Sequence, residues 1–550
     1  MNLIGNINAI PFMRYRGRGG TSPFPSIPGM IARYSALGLT NEQMKENPVW
    51  VDKTGNGHDL QLKNFAWKGM SGVGGYVGDF SKWVNNRDTT EIGITKSNSK
   101  VIIDVKVSQG SGKNIAFISK SNLGISNNVT IKITSTYPEG VMKFANSASN
   151  KYLKLPSNGI ITLQDNPEYT SNEMHLHLAS ADLGQITIEQ LPLYPGALVF
   201  DGVGDCGVCE NFPIMTKEKG YTVVALRQWD QDFLNTTLTG GLLSTRNYST
   251  GEGVAFEKIE SSSKGYWNLG AGGIIDFAKS PFTWQTSKQY NNVGILKGDK
   301  NHGKPLCVGC GLSGGQQCGR FAIWELVFLD HDATEEELTK IKDYFVKTYP
   351  WLFPDQAWTV VGKTNEDEDR ATIANITGNG NNLVLSNFGF IEGSGYNKEG
   401  EYAGYLVTDG VDDKITSSIF EMGNDWTVIG DWELINTGKK DNAGIVKFDS
   451  IVIYNYNPIL INIKNGRNNL IPDQNTVNAI CSDGRIYSKD WKESIYNEET
   501  ESTSKNLLTI GYSGNRYTKI AFKNLAIYPT VLSKEDCIKA YNYLQTLKAK

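Results

Sequence analysis

DKTGNGHDLQLKNFAW, residues Asp52 to Trp67, and NITGNGNNLVLSNFGF, residues Asn375 to Phe390, are two copies of one unit. They agree at Thr54/Thr377, through the Gly-Asn-Gly trio, at Leu60/Leu383 and Leu62/Leu385, and at Asn64-Phe65/Asn387-Phe388. Gly-Asn-Gly supplies the positive φ angles of a tight turn. The leucines two apart after it mark a strand with one face turned inward. The match resumes in order at FDGVGD (Phe200 to Asp205) against TDGVDD (Thr408 to Asp413), and at IWELVFL (Ile323 to Leu329) against FKNLAIY (Phe522 to Tyr528). A helix start follows each last strand, Thr334-x-x-Glu337 and Ser533-x-x-Asp536. Leu338, Ile341 and Phe345, and likewise Cys537, Tyr541 and Leu544, then share a helical face, so each helix should close its own sandwich.

The copies are offset by 323 residues at the Gly-Asn-Gly turn and by 208 at the Asp-Gly-Val turn, so the first carries 115 extra residues between them. That segment has period-two apolar runs: Val101, Ile103, Val105, Val107; Val129, Ile131, Ile133; Met174, Leu176, Leu178; Ile186, Ile188. Such runs, broken by Asn, Ser, Gly and Pro, are strands of a further small β-sandwich. The expected division is an N-terminal arm at 1–27, a first sandwich from 28–80 joined to 193–352, an inserted sandwich at 81–192, and a second copy at 356–550. Pro350-Trp-Leu-Phe-Pro354 separates the copies, its prolines ending the helix.

Composition agrees with an all-β protein of several domains. The 550 residues exceed one ordinary core, with 39% hydrophobic and 20% charged residues, 58 glycines against 18 prolines, and 11% aromatics. A net charge of −4 provides no field to draw in nucleic acid. No run of about 18 apolar residues marks a membrane span. The start, MNLIGNINAIPFMRYRGRGG, has Pro11 and three arginines where an export signal needs an apolar stretch, so the expected site of assembly is the cytoplasm. The arm carries Arg14, Arg16 and Arg18 with Phe12 among glycines and prolines; it should order only on a partner.

On these residues the chain resembles the laminin-G-like, concanavalin A-like jelly-roll superfamily, through D-x-[ST]-GNG-x-x-L, the Asp-Gly-Val strand end, and L-x-IG at Leu508 to Gly511. GLTNE (Gly38 to Glu42), GKTNE (Gly362 to Glu366) and IEQLPLYPGALVFDGVGD (Ile188 to Asp205) are similar to stretches of virion proteins of crAss-like phages of Bacteroidales. The resemblance implies two jelly-rolls, the first with an inserted β-sandwich, each closed by a short C-terminal helix. It further implies a head-fibre, tail-fibre or capsid-decoration component, located in the virion, whose partners are other virion proteins and host surface glycans. Fibre analogy adds a homo-oligomer, a trimer.

Several residue patterns carry competing chemistry. Cys206-Gly-Val-Cys209 and Cys307-Val-Gly-Cys310, with Cys318 nearby, offer four thiols to a structural zinc; the alternative is reduced thiols, since Thr509 and Tyr512 stand opposite Cys307 and Cys310 in the second copy. Gly311-Leu-Ser313-Gly-Gly315 fits a nucleophile elbow, but no helix signal follows it. His175 and His177 share a strand face with no third ligand in view. Glu366 to Asp369 reads as a solvated loop. Trp229, Trp267 and Trp284 are candidates for stacking on sugars, against the plainer expectation of core. No E-x-D-x-x-E carboxylate pair of a jelly-roll glycosidase is present. The expectation is therefore a non-enzymatic virion structural protein with no cofactor, anchored by its arm. The alternatives are a secreted carbohydrate-binding module or a capsule depolymerase.

Overall fold

A computed structural model describes residues 23–549 except 88, 109, 126–128, 147–151, 164–171, 214–220, 235, 237, 246–254, 259–263, 268–273, 277–284, 288–304, 313–315, 379, 436–443, 449–450, 455–458, 464–466, 472–476, 496–505 and 514–515. The arm residues Phe12, Arg14, Arg16 and Arg18 thus lie outside the described residues.

The protein is all-β, and its two repeats are built strand for strand alike. In the first, Arg320–Leu329 is the spine of one sheet: Thr222–Trp229 runs along one edge, and Met30–Ser35 and Leu198–Asp201 share the other. In the second, Ile520–Tyr528 has Thr427–Leu434 on one side and Gln356–Thr359 with Leu406–Val407 on the other. Register shifts fall at matching places, Leu226/Arg227 and Asp431/Trp432. The facing sheets correspond as well. Val49–Trp50, Leu60–Lys63, Cys206–Cys209, Leu306–Val308 and Gly240–Ser244 lie in the order taken by Thr372–Ile373, Leu383–Ser386, Lys414–Phe420, Asn506–Ile510 and Gly444–Phe448. The Gly-Asn-Gly turns have Gly55, Gly57, Gly378 and Gly380 at φ between 80° and 86°. Leu60, Leu62, Leu383 and Leu385 alternate inward into the cores between the sheets.

The duplicated GLTNE and GKTNE segments have a structural task. The Asn41 side chain accepts from the Val73 N–H at 2.7 Å and donates to its carbonyl at 3.2 Å; Asn365 does the same to Tyr396 at 2.8 and 3.0 Å. A short edge strand is thereby paired by an amide side chain. The residue before it is Gly72 or Gly395, where a Cβ would meet the asparagine Oδ1 at 2.4 or 2.5 Å.

Between Val84 and Gln190 the described strands form two five-stranded sheets of their own, around a separate core that includes Phe80, Trp83, Ile103, Ile131, Leu176 and Ile188. Val107 lies beyond the strand Lys100–Val105 and is exposed.

Both C-terminal helices form as their start signals require. Thr334 and Glu337 make a reciprocal capping box on Glu335–Thr348, and Ser533 caps Lys534–Leu544. Each helix does more than close its own repeat. Val224, Leu226 and Trp324 of the first repeat, both helices, Trp351 and Leu352 of the linker, and Ile429, Ala479 and Tyr528 of the second share one core. Trp324 is fully buried, donates to the Pro195 carbonyl at 2.9 Å, and meets Tyr543 of the second repeat's helix edge-on at 6.0 Å. Ile160 of the inserted segment enters the same cluster. Phe24 and Ile27, which the sequence assigned to the arm, also pack here: Phe24 lies 4.8 Å from the Tyr344 ring, with the Arg33 guanidinium 4.0 Å above it.

Because that core belongs to both repeats, they should unfold as one unit. Calorimetry is expected to give a single transition for the two jelly-rolls, and Trp324→Ala, removing about 3–5 kcal/mol of packing, should lower it without splitting it. Two transitions, with only one moved by the substitution, would mean that the repeats are energetically separate.

Candidate functional site

In each repeat the loop after the Leu-x-Leu strand is fastened to the Asp-Gly-Val turn by the same hydrogen bonds. Asn64 Nδ2 donates to the Gly204 carbonyl and Asn387 Nδ2 to that of Asp412, both at 3.0 Å. The Ser71 hydroxyl donates to Asp205 at 2.9 Å while accepting from Ala66 N–H; Ser394 bridges Asp413 and Gly389 N–H likewise. Asp205 and Asp413 also accept from the Asp201 and Asp409 N–H groups, and those aspartates cap Val203 and Val411. Two apolar groups ride on this frame. Val203 and Val411 are 82% and 71% exposed. Trp67 and Phe390, half-buried, hold left-handed backbone at φ 54° and 51°. A bulky side chain in that region is strained by of order 1–3 kcal/mol, and such strain clusters at functional sites. Trp67 stacks on Phe65 at 4.8 Å; Phe390 lies under the Arg370 guanidinium at 5.1 Å.

The turn carboxyls are unusual acids. Asp205 is 1% exposed, and burial, opposed by the Asp201 N–H, raises its pKa to about 7; Asp413 is raised to about 6 for the same reason. In the second repeat Asp409, Asp412 and Asp413 bring donor oxygens within 4.8 Å of one another, the one such group of three potential metal ligands among the described residues. Gly204 stands where Asp412 would be in the first repeat. The oxygens of Asp409 and Asp413 are already engaged by backbone N–H groups and Ser394.

Beside the first turn the cysteines converge, though not as the two CxxC pairs suggest. Opposite residues in antiparallel strands share a face, and Cys206 and Val208 face outward with Lys63, Gln61 and Cys307, whereas Cys209 faces inward with the Leu60 side of the sheet. Cys209 therefore leaves the proposed foursome: it sits in the inner core, its thiol 3.2 Å from Asn211 Oδ1. Cys318 takes its place. It is the cross-strand partner of Cys310, and Cys206, Cys307, Cys310 and Cys318 form a buried cluster with Val208. The Cys310 thiol donates to the Asp205 carbonyl at 3.3 Å. The three-residue spacing of Cys206 and Cys209 already implied opposite faces of a strand; that parity was the missed signal.

The second repeat fills the matching positions differently. Lys414 stands for Cys206, Thr509 for Cys307, Tyr512 for Cys310 and Tyr517 for Cys318, the last two being cross-strand partners as the cysteines are. The tyrosine rings stack at 6.0 Å, and the Lys414 ammonium lies 5.7 and 5.8 Å from their centroids.

The other candidates fall to structural tasks. Trp229 is 1% exposed and stacked on Phe233, a core residue rather than a sugar platform. Trp267 lies in the strand Lys264–Trp267, and Trp284 outside the described residues. Ser313 is also outside them, but Cys310–Leu312 is followed by the strand Gln316–Cys318 rather than a helix. His177 bonds Asn114 at 3.0 Å and burial lowers its pKa; His175 packs on Phe117. Asp367 caps Thr364 and Glu366 pairs with Lys398 at 2.8 Å, hydrogen bonds that hold both carboxyls below their ordinary range.

No protein-family model and no curated protein sequence matches the chain. Solved structures to which it is similar include the botulinum neurotoxin serotype D binding domain, 11% identical over 62% of this chain and 89% of that one, with a TM-score of 0.25. Trypanosoma rangeli sialidase in complex with sialic acid is 8% identical over 82% of this chain and 83% of that one, with a TM-score of 0.26. The likeness is one of all-β architecture alone.

The raised carboxyls fix a pH dependence. A folded-state pKa above the ordinary 3.8 means that Asp205 and Asp413 contribute stability below about pH 4, which is lost as the pH rises through 6 to 7. The double variant Asp205→Asn, Asp413→Asn should therefore lose most in Tm against the parent near pH 4 and least near pH 8. A difference in Tm that stays constant with pH would show that both carboxyls titrate normally.

Proposed function

We propose that the chain is a non-enzymatic virion component, a fibre or decoration protein attached by its N-terminal arm, whose jelly-rolls engage host surface glycans. The observation that carries the binding half is the duplicated hydrogen-bond frame, which exposes Val203 and Val411 at its turns and holds Trp67 and Phe390, partly exposed, in left-handed backbone. Val203 and Val411 belong to neither core, and Trp67 and Phe390, in strained backbone, pack only on the edge of their cores while staying partly exposed. A partly exposed aromatic on a frame of asparagine and aspartate side chains suits a sugar ring, which has an apolar face and polar edges. The non-enzymatic half is supported by the tasks of the residues that looked catalytic: Glu366 and Asp367 pair and cap, and the Gly311 segment leads into a hairpin. The virion half rests on the resemblance of the GLTNE, GKTNE and Ile188 to Asp205 segments and on the arm's composition.

The arm's arginines would lie in an acidic groove of a larger shell. Exposed ion pairs contribute only about 0–1 kcal/mol each, so apolar residues such as Phe12 must add burial. Since Phe24 and Ile27 pack on the first repeat, the truncation that removes the arm alone is of residues 1–22. That truncation should abolish incorporation into particles, measured by mass spectrometry of purified virions, with little change in Tm. Equal incorporation of both forms rules out the arm as anchor, and absence of the full-length protein from particles rules out the virion reading. On a host-glycan array Trp67→Ala with Phe390→Ala should weaken binding about ten-fold or more, while release of oligosaccharide by the parent would overturn the non-enzymatic reading.

A further inference from the structure

Four of the seven cysteines lie in one buried cluster, and they come from three separate segments: the strand Cys206–Cys209, the strand Leu306–Val308, and the hairpin of Cys310–Leu312 with Gln316–Cys318. The fold does not require sulfur there. The second repeat builds the same three segments with Lys414, Thr509, Tyr512 and Tyr517, and holds its hairpin by a stacked pair of tyrosines under an ammonium group. What both repeats share is a need to fasten that hairpin to the outer face of the sheet. The second does so by cation–π and ring stacking. The first has four small side chains in the space, and thiols alone are weak partners for one another.

We propose that Cys206, Cys307, Cys310 and Cys318 are the ligands of a zinc ion that fastens the Cys310–Cys318 hairpin to the first jelly-roll. Zinc is the divalent ion that four thiolates in a closed, non-catalytic setting select. Cys209, although it completes a CxxC pair, takes no part, because it lies on the other face of its strand.

The Cys310 thiol, which donates to the Asp205 carbonyl at 3.3 Å, must turn from that bond to ligate. Ligation takes thiolates, so metal uptake releases thiol protons and weakens as pH falls. A tetrahedral ion with bonds of about 2.3 Å needs sulfurs roughly 3.8 Å apart. No three of these sulfurs yet lie within 4.8 Å of one another, so binding includes rotation of cysteine side chains. Gly309 and Gly319 flank the hairpin and join its ends through a 2.8 Å backbone hydrogen bond, which keeps the ligands in reach while they turn.

The test uses the full-length protein purified without chelator. Elemental analysis should find one zinc per chain, and exchange for cobalt(II) should give the intense thiolate-to-metal charge-transfer and visible d–d bands of a tetrahedral tetrathiolate site. Cys318→Ser should lose most of the metal, whereas Cys209→Ser should keep it. The graft C206K/C307T/C310Y/C318Y, which copies the second repeat, should fold to the parent's circular dichroism spectrum and bind no metal, separating loss of metal from loss of fold. Metal-free protein that gives no cobalt bands overturns the proposal. So does a Cys310–Cys318 disulfide in the native protein, or full metal retention by Cys318→Ser.

Discussion

The structure depends on one packing constraint: the spine strands Arg320–Leu329 and Ile520–Tyr528 are buried on both faces. An antiparallel sheet ordinarily wets one side and so alternates apolar with polar residues. Here the inner face belongs to the jelly-roll core and the outer face to the core shared with the helices and the other repeat. FAIWELVFL and IAFKNLAIY accordingly run almost without polar interruption; of their polar residues Glu325 and Lys523 are partnered, whereas the side-chain amide of the buried Asn524 has no hydrogen-bond partner. Glu325 is completely buried, and it accepts a forked pair of bonds from Arg33 at 3.1 Å and one from the Tyr349 hydroxyl at 2.7 Å. Lys523, the residue matched to Trp324, has Asp431 3.8 Å away and the Tyr405 ring below it. The matched positions 324 and 523 are thus alike in backbone and unlike in chemistry, a packed tryptophan in one repeat and a charged lysine in the other.

The same separation of scaffold from chemistry governs the outward regions. Asparagine, serine and aspartate form an identical frame in both repeats, and what the frame carries has diverged: tryptophan against phenylalanine, glycine against aspartate, four cysteines against lysine, threonine and two tyrosines. A duplicated fold gives an internal control for every position. Where both copies agree at a buried or hydrogen-bonded position, folding accounts for the residue, as at Asn41/Asn365 and the glycine each one abuts. Where they differ at a buried or strained position, folding alone does not.

Much of this was legible in the sequence because local rules fix it. Positive-φ glycines, leucines two apart and helix caps act over a few residues, and the repeated order multiplied each signal by two. The fold class, both helices and the strands Leu60–Lys63 and Leu383–Ser386 follow from those alone. The shared core was less visible because a helix stripe names one buried face and says nothing of what lies behind it. The sign was present in Lys534–Leu544, where consecutive residues Ala540 to Leu544 are all buried, more than one face can supply. Phe24 and Ile27 do not read as core because their neighbours are prolines and polar residues, and partners such as Tyr344 lie some 300 residues away. The grouping of the cysteines is hidden for a simpler reason: a CxxC spacing that suits a turn puts the two thiols on opposite sides of a strand.

The inserted segment also obeys a local condition at its ends. The chain leaves the first jelly-roll at Gly74-Gly75 and returns at Leu193-Tyr194, and the departing and returning backbones are hydrogen-bonded, Leu193 N–H to the Gly75 carbonyl at 3.0 Å and Tyr194 N–H to that of Gly74 at 2.8 Å. The glycines are needed there: Gly74 has φ 87°, and a Cβ on it would meet Pro192 at 2.8 Å. The second repeat joins the corresponding strands, Gly395–Tyr396 and Leu406–Val407, by a short hairpin. A loop whose ends must meet in either case pays closure entropy that grows only slowly with its length. Exchanging that hairpin for a folded segment with adjoining ends therefore leaves the edge of the sheet as it was, and the spine strand beside it keeps both of its buried faces.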